Sequence, residues 1–464
     1  MRLRLVAAAG VLLVVAGMLV ITRADAGLVR ERTSVDGMPV SVLRPSGDGP
    51  FPGVVVVHGF SGSSRLMDGI GIAFARAGWL AALPDLPGHG ANPASLGEAD
   101  LPREVLEVVD WLDERADVDQ VAMLGHSMGA GAVVEAAAQR PELPVVALSL
   151  PSAESLDPEI EALVLVGGSE PARFAEAAEQ AGELGFATGT VSGAEHLSIL
   201  FRTQTLRTSL DWLDEAVGRS SPPVDGDWRL LGVGAAYLGS ALLFWPLSAW
   251  VVRPPGARSG MRGTASRVPR WVAVPVAGLV AGGVLAAVPA LGESVPLLVG
   301  GYLAAFFALT GLGVHLTGRR LERPFAAPVA SGLALGAYSG LAVAVPAQLA
   351  WAQVSLAGPR SLAIAALVGA ILLFAWAELA LSDRYGYPSV VAARLLLSGV
   401  LAVLAVAGAA PGFLLLLLPL VALVLPWFGA YGVRVARLSG SPLGGALAQA
   451  PALALLVAVT TPLA

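Results

Sequence analysis

Gln120-Val121-Ala122-Met123-Leu124-Gly125-His126-Ser127-Met128-Gly129 is the stretch on which the reading of this chain turns. Its first half is short, apolar and preceded by the Asp117/Asp119 turn, so it predicts a buried strand. The residues that follow, through Arg140, are rich in Ala and Glu and stop before Pro141, which predicts a helix. Between strand and helix lies a Gly-x-Ser-x-Gly. In that setting the glycines permit a cramped strand-to-helix elbow that pushes a serine hydroxyl out at the top of a sheet. The five-residue pattern alone is weak in a chain this rich in Gly. The strand–turn–helix context carries the weight.

Working outward, four more segments fall into order. Gly53-Val54-Val55-Val56-Val57 is a β-branched run ending in His58-Gly59-Phe60. Trp79–Leu83 is a second apolar strand, followed by Asp85-Leu86-Pro87-Gly88-His89-Gly90. Ala162–Val166 is a third, followed by Gly167-Gly168-Ser169-Glu170-Pro171, and Phe186–Ser192 leads into Gly193-Ala194-Glu195-His196. Together these motifs make residues Leu28–Val217 resemble an α/β-hydrolase of the esterase, lipase and dienelactone-hydrolase kind. The order Ser, acid, His is the one that fold uses.

The resemblance implies a role for each residue. Ser127 would be the nucleophile, His196 its base and Glu170 the acid that sets the imidazole tautomer. The N–H groups of Phe60 and Met128 would form the oxyanion hole, the latter at the positive end of a helix. His58, Gly59, Gly125, His126, Gly129 and Asp85 would support the elbow and pocket, with His89 a loop residue. Glu154 and Asp157, after the strand Val145–Leu150, are the alternative acids, since some related lipases place theirs there. Little chain separates Ser127 from Glu170, so no large cap is expected. The Gly/Ser-rich Ser61–Gly71 segment is read as a loop beside the oxyanion amide.

Composition sets the second half of the argument. The chain has 464 residues, 55% of them hydrophobic and only 14% charged, with a mean hydropathy of +0.71. Such values require that a large part lies in lipid. Charge divides the chain. Arg23–Asp227 holds 13 Arg against 31 acids, and the remainder holds 16 Arg against 4 acids. An acidic catalytic half argues against nucleic acid or anionic lipid as its direct partner. Cysteine is absent, which excludes disulfides, thiolate chemistry and thiolate metal sites.

Met1-Arg2-Leu3-Arg4 is a basic flank before the apolar Leu5–Ile21, read as a retained anchor although Ala24-Asp25-Ala26 resembles a cleavage site. The expected domains are residues 1–26 as anchor or signal segment, 27–218 as the α/β-hydrolase domain, 219–227 as linker and 228–464 as a polytopic helical membrane domain. Its expected spans are Trp228–Val252, Trp271–Leu291, Val295–Leu316, Phe325–Val345, Leu362–Leu381, Val390–Ala409, Gly412–Val433 and Leu443–Pro462. With the N-terminus inside, Arg253, Arg258, Arg262, Arg267, Arg270, Arg319, Arg320, Arg323, Arg384, Arg434 and Arg437 all fall on the cytoplasmic side. The hydrolase part is then extracytoplasmic. Glu378, read as the one intramembrane acid, is functional or interfacial, and His315 is read as a packed or interfacial histidine.

The expected fold is therefore α/β, a mostly parallel sheet flanked by helices, joined to an all-α multi-pass membrane domain. The expected function is a serine hydrolase acting on an acyl ester, with a small-molecule or lipid ester and the bilayer as partners and no cofactor or metal. An acyltransferase using the same triad, or a transport or binding protein with a non-catalytic hydrolase-like domain, are the alternatives.

Overall fold

The computed structural model describes residues 2–252, 268–317, 326–355, 358–381 and 386–464. Helix α1 (Arg2–Thr22) leads into a hairpin of β1 (Val29–Val35) and β2 (Met38–Arg44). Asp36 and Gly37 make its turn with φ of 46° and 87°, the left-handed pair a two-residue hairpin needs. Then follow β3 (Phe51–Val57), α2 (Ser64–Arg76), β4 (Leu80–Pro84), α3 (Leu101–Asp113), β5 (Val118–His126), α4 (Met128–Ala137) and β6 (Val145–Leu148). The unit closes with β7 (Ala162–Gly167), α5 (Ala172–Glu183), β8 (Ala187–Val191) and α6 (Thr203–Ala216).

The eight strands form one sheet in the order β1-β2-β4-β3-β5-β6-β7-β8. From β4 to β8 all neighbours are parallel, whereas β2 runs antiparallel to both of its neighbours. Val54 to Val57 are fully buried because helices cover both faces, the usual condition of a parallel strand. One face packs against α3, α4 and α5, the other against α2 and α6. Each strand expected from the sequence is present within a few residues. Two expectations fail. The helix after the elbow ends at Ala137 rather than Arg140. Ser64–Gly71 is not a loop but the start of α2, buried at every residue, because its apolar face completes the core beside β4.

The C-terminal part is helical: α7 (Arg229–Val251), α8 (Arg270–Ala287), α9 (Leu298–Thr317), α10 (Ala326–Ala350), α11 (Pro359–Ala380), α12 (Tyr387–Val406), α13 (Leu414–Ser439), α14 (Pro442–Leu447) and α15 (Ala450–Thr460). With α1, nine helical stretches among the described residues are long and apolar enough to cross a bilayer, α14 and α15 counting as one. The expected last span, Leu443–Pro462, is thus broken, with Pro451 in the first turn of the second piece, where its missing N–H cannot continue the first. The expected fourth span ends not at Val345 but at Ala350, with Pro346 inside the helix. Of the orientation-setting arginines, Arg253, Arg258, Arg262, Arg267, Arg319, Arg320, Arg323 and Arg384 lie outside the described residues.

The two halves are fastened together. Arg229 is buried, pairs with Asp227 at 2.6 Å, faces Asp68 of α2 at 3.6 Å and donates to the Ala350 carbonyl at 3.2 Å. Arg360, at the start of α11, donates to the carbonyls of Gly88 (2.7 Å) and Thr461 (2.9 Å) and to that of Ala458. The Leu463 N–H reaches the same Gly88 carbonyl at 2.9 Å. The segment read as a linker also lies against the hydrolase-like half: Ser221 caps the Asp214 carboxylate and Val224 is buried in its core.

Candidate active site

The elbow follows from its glycines. Ser127 sits at φ 53° and ψ −116°, a strained conformation for a residue with a Cβ. A Cβ at Gly125 would come within 2.2 Å of the Gly129 carbonyl, and one at Gly129 within 2.6 Å of the Val57 and His58 carbonyls. The close crossing of β5, α4 and the end of β3 therefore excludes any side chain at either position. Gly59 is tight as well, its absent Cβ standing 3.0 Å from the His126 ring.

Three side chains from three strand ends meet above the sheet. The His196 Nε2 lies 3.1 Å from the Ser127 Oγ, and its Nδ1 lies 2.8 Å from the Glu170 Oε2. The Glu170 side chain is fully buried, and its other oxygen accepts from the Gly167 N–H and the Ser149 hydroxyl, both at 2.7 Å. The Phe174 ring stacks on the His196 imidazole with centroids 4.3 Å apart. A carboxylate so held can accept the Nδ1–H and leave the Nε2 lone pair facing the serine. Glu154 and Asp157 are elsewhere. Asp157 accepts from the Glu159 N–H, and Glu154 is exposed.

The remaining predicted positions surround this line. Among the described residues no acceptor stands against the N–H of Phe60 or of Met128, so both are free to donate. The buried His58 accepts the Leu86 N–H at Nε2 (3.1 Å) and donates from Nδ1 to the Gly59 carbonyl. Burial pushes its pKa down to about 4. His126 donates from Nε2 to the His196 carbonyl at 2.9 Å, and burial with the nearby His196 lowers it to about 3. His89 faces the Pro87 and Phe60 carbonyls. Burial brings its pKa to about 3, and a neutral ring donates to one of the two. The Asp85 carboxylate accepts from the N–H groups of Ser64 and Ala91, tying the loop after β4 to the start of α2, while burial raises its pKa.

Sequence reasoning missed Ser149. It follows β6 and has φ 53°, a left-handed residue at the place where the alternative acid was sought. It also missed Arg394, whose guanidinium pairs with Glu378 at 2.6 Å, both side chains fully buried. Glu378 is therefore held inside the helical bundle rather than on its surface. An unpaired carboxylate could not remain charged there. Arg394 sits within an apolar span and gives no signal until α11 and α12 are brought together. His315 is half-buried and stacks on Trp376.

Residues 52–230 match the family of the alpha/beta hydrolase fold. This part of the chain has the α/β-hydrolase fold. Among curated relatives, Esterase EstD of Thermotoga maritima is 32% identical over 143 residues, which are 28% of this chain and 34% of that protein. The thermostable monoacylglycerol lipase of Bacillus sp. (strain H-257) is 30% identical over 27% of this chain and 50% of its own. The bis(hydroxyethyl) terephthalate hydrolase of Streptomyces coelicolor is 28% identical over 32% and 49%. The chain thus spans at most half the length of these relatives.

Proposed function

We propose that this α/β hydrolase is a membrane-embedded serine hydrolase that cleaves a carboxylic ester at the extracytoplasmic face. The observation that carries the reading is the unbroken line of hydrogen bonds from Glu170 through His196 to Ser127. In that reading the Ser127 Oγ attacks the ester carbonyl carbon as His196 Nε2 takes its proton. The carbonyl oxygen becomes an oxyanion held by the Phe60 and Met128 N–H groups. Such a donor is worth on the order of 10²–10³ in rate. The tetrahedral species collapses as His196 returns the proton to the departing alkoxide. Water, deprotonated by His196, then attacks the acyl-enzyme, and the carboxylic acid leaves with Ser127 restored.

Supporting the ester as substrate are the names of the relatives, an esterase, a lipase and a terephthalate ester hydrolase. The extracytoplasmic placement rests on the arginine distribution. The test is Ser127→Ala in the full chain, purified in detergent. Fluorophosphonate labelling and turnover of nitrophenyl butyrate should both be lost while the thermal unfolding midpoint is retained. Undiminished turnover in a folded Ser127→Ala protein overturns the serine mechanism.

A further inference from the structure

Between α9, α11, α12, α13 and α15 lies a groove whose walls are almost wholly apolar, including Leu303, Phe307, Leu417, Val421, Leu456 and Thr460. It occupies the half of the helical bundle that faces the hydrolase. From Thr460 at its top to Leu453 it follows α15 for seven residues, roughly 10 Å.

The top of the groove coincides with the oxyanion loop. The Ser61 hydroxyl donates to the carbonyl of Thr460, the uppermost lining residue on α15. Phe60, whose N–H is the candidate oxyanion donor, places its ring 4.7 Å from that of Phe413, the residue before α13. The loop that would hold the ester carbonyl therefore straddles the α13 and α15 ends between which the groove begins. No large cap is inserted between Ser127 and Glu170, where α4, β6, β7 and the two loops joining them take up the chain.

We infer that this groove receives the acyl chain of a lipid ester drawn sideways from the membrane while the ester carbonyl sits at Ser127. The inference rests on the ester-hydrolase reading above and names its substrate class. Several features favour an acyl chain over other occupants. The walls carry no charged side chain, and the groove begins beside the loop that would bind the carbonyl. The helical half thus serves as the acyl-binding half of the enzyme as well as its anchor.

The experiment uses the full chain in nanodiscs and a fluorophosphonate with a twelve-carbon chain ending in a diazirine. Ser127 Oγ displaces fluoride from phosphorus, and light then links the chain terminus to its neighbours. Cross-links within residues 417–425 or 453–460 are expected, and cross-links confined to the hydrolase half overturn the inference. Val421 of α13 and Val457 of α15 both line the groove, and Val421→Phe and Val457→Phe each narrow it. Each should lower the preference for nitrophenyl laurate over butyrate at least tenfold, with the thermal unfolding midpoint retained. An unchanged preference in both variants also overturns it. A wild-type protein that neither takes the probe nor hydrolyses either ester contradicts the ester-hydrolase reading itself, whereas butyrate turnover with labelling and misplaced cross-links contradicts only the groove.

Discussion

Glu170 does its work through two fixed neighbours. Its buried carboxylate accepts from Ser149 and from the Gly167 N–H on one oxygen and faces the His196 Nδ1 with the other. If it sets the tautomer, Glu170→Gln should lower kcat on the order of 10⁴-fold with KM little changed. Ser149→Ala removes one hydrogen bond to a charged group and should cost roughly tenfold in kcat. Near-normal kinetics for Glu170→Gln, with loss in Glu154→Gln or Asp157→Asn, would move the acid to the earlier loop. The buried histidines make a separate prediction. His58, His89 and His126 titrate in the fold at about 4, 3 and 3, against 6.5 when unfolded. Below pH 6.5 the unfolded chain takes up protons that the folded chain refuses. The stabilisation is therefore complete above pH 6.5 and is lost on acidification from there toward pH 3 to 4, at up to about 1.4 kcal/mol per pH unit for each histidine. The unfolding midpoint of the hydrolase half should fall between pH 7 and 5. A flat midpoint over that range would contradict it.

At the scale of elements, α1 and α7 show why the N-terminal segment should be retained. Gly10 and Gly17 of α1 face Gly239 and Gly232 of α7, and a Cβ at Gly17 would come within 2.4 Å of the Gly232 carbonyl. Small residues at one spacing on both helices let the backbones touch, the usual means of association in lipid. The residues resembling a cleavage site are also engaged. The Ala24 carbonyl accepts from Arg76, and Asp25 pairs with Arg30, which in turn pairs with the buried Asp68. Intact mass of the purified protein should therefore include residues before Gly27, and a mature N-terminus at Gly27 would refute the packing argument. Gly17→Leu should lower the thermal midpoint, because α1 can no longer approach α7.

For the whole molecule, the open question of orientation is settled by fusion. Arg253, Arg258, Arg262 and Arg267 crowd the segment between α7 and α8, with Arg270 opening α8, and moving such a segment outward opposes the membrane potential and the anionic inner leaflet. Alkaline phosphatase fused after Gly218 should be active, and the same enzyme fused within residues 254–266 inactive. The reverse pattern inverts the molecule and sends the search for substrate to the cytoplasm. The buried bridges from Arg229 and Arg360 add that the hydrolase half is held in one pose on the helices rather than hung from a tether.

Much of this was legible in the order of residues. Strand and helix periods and the Gly-x-Ser-x-Gly elbow depend on local sterics and short-range pattern, so the strands and the apolar spans follow from the chain alone, whereas Glu170 and His196 were reached through the resemblance to α/β hydrolases. Helix ends near Pro346 and Pro451 were less legible, because neighbouring helices decide whether a proline interrupts or is absorbed. Contacts between residues far apart in the chain were not legible at all. Ser149 against Glu170, Arg394 against Glu378, and Ser61 against Thr460 become partners only when strands, spans and halves are brought together. A single side chain carries no record of its distant partner. The burial that makes each pairing necessary is a property of the packed molecule, and there the tertiary structure alone decided.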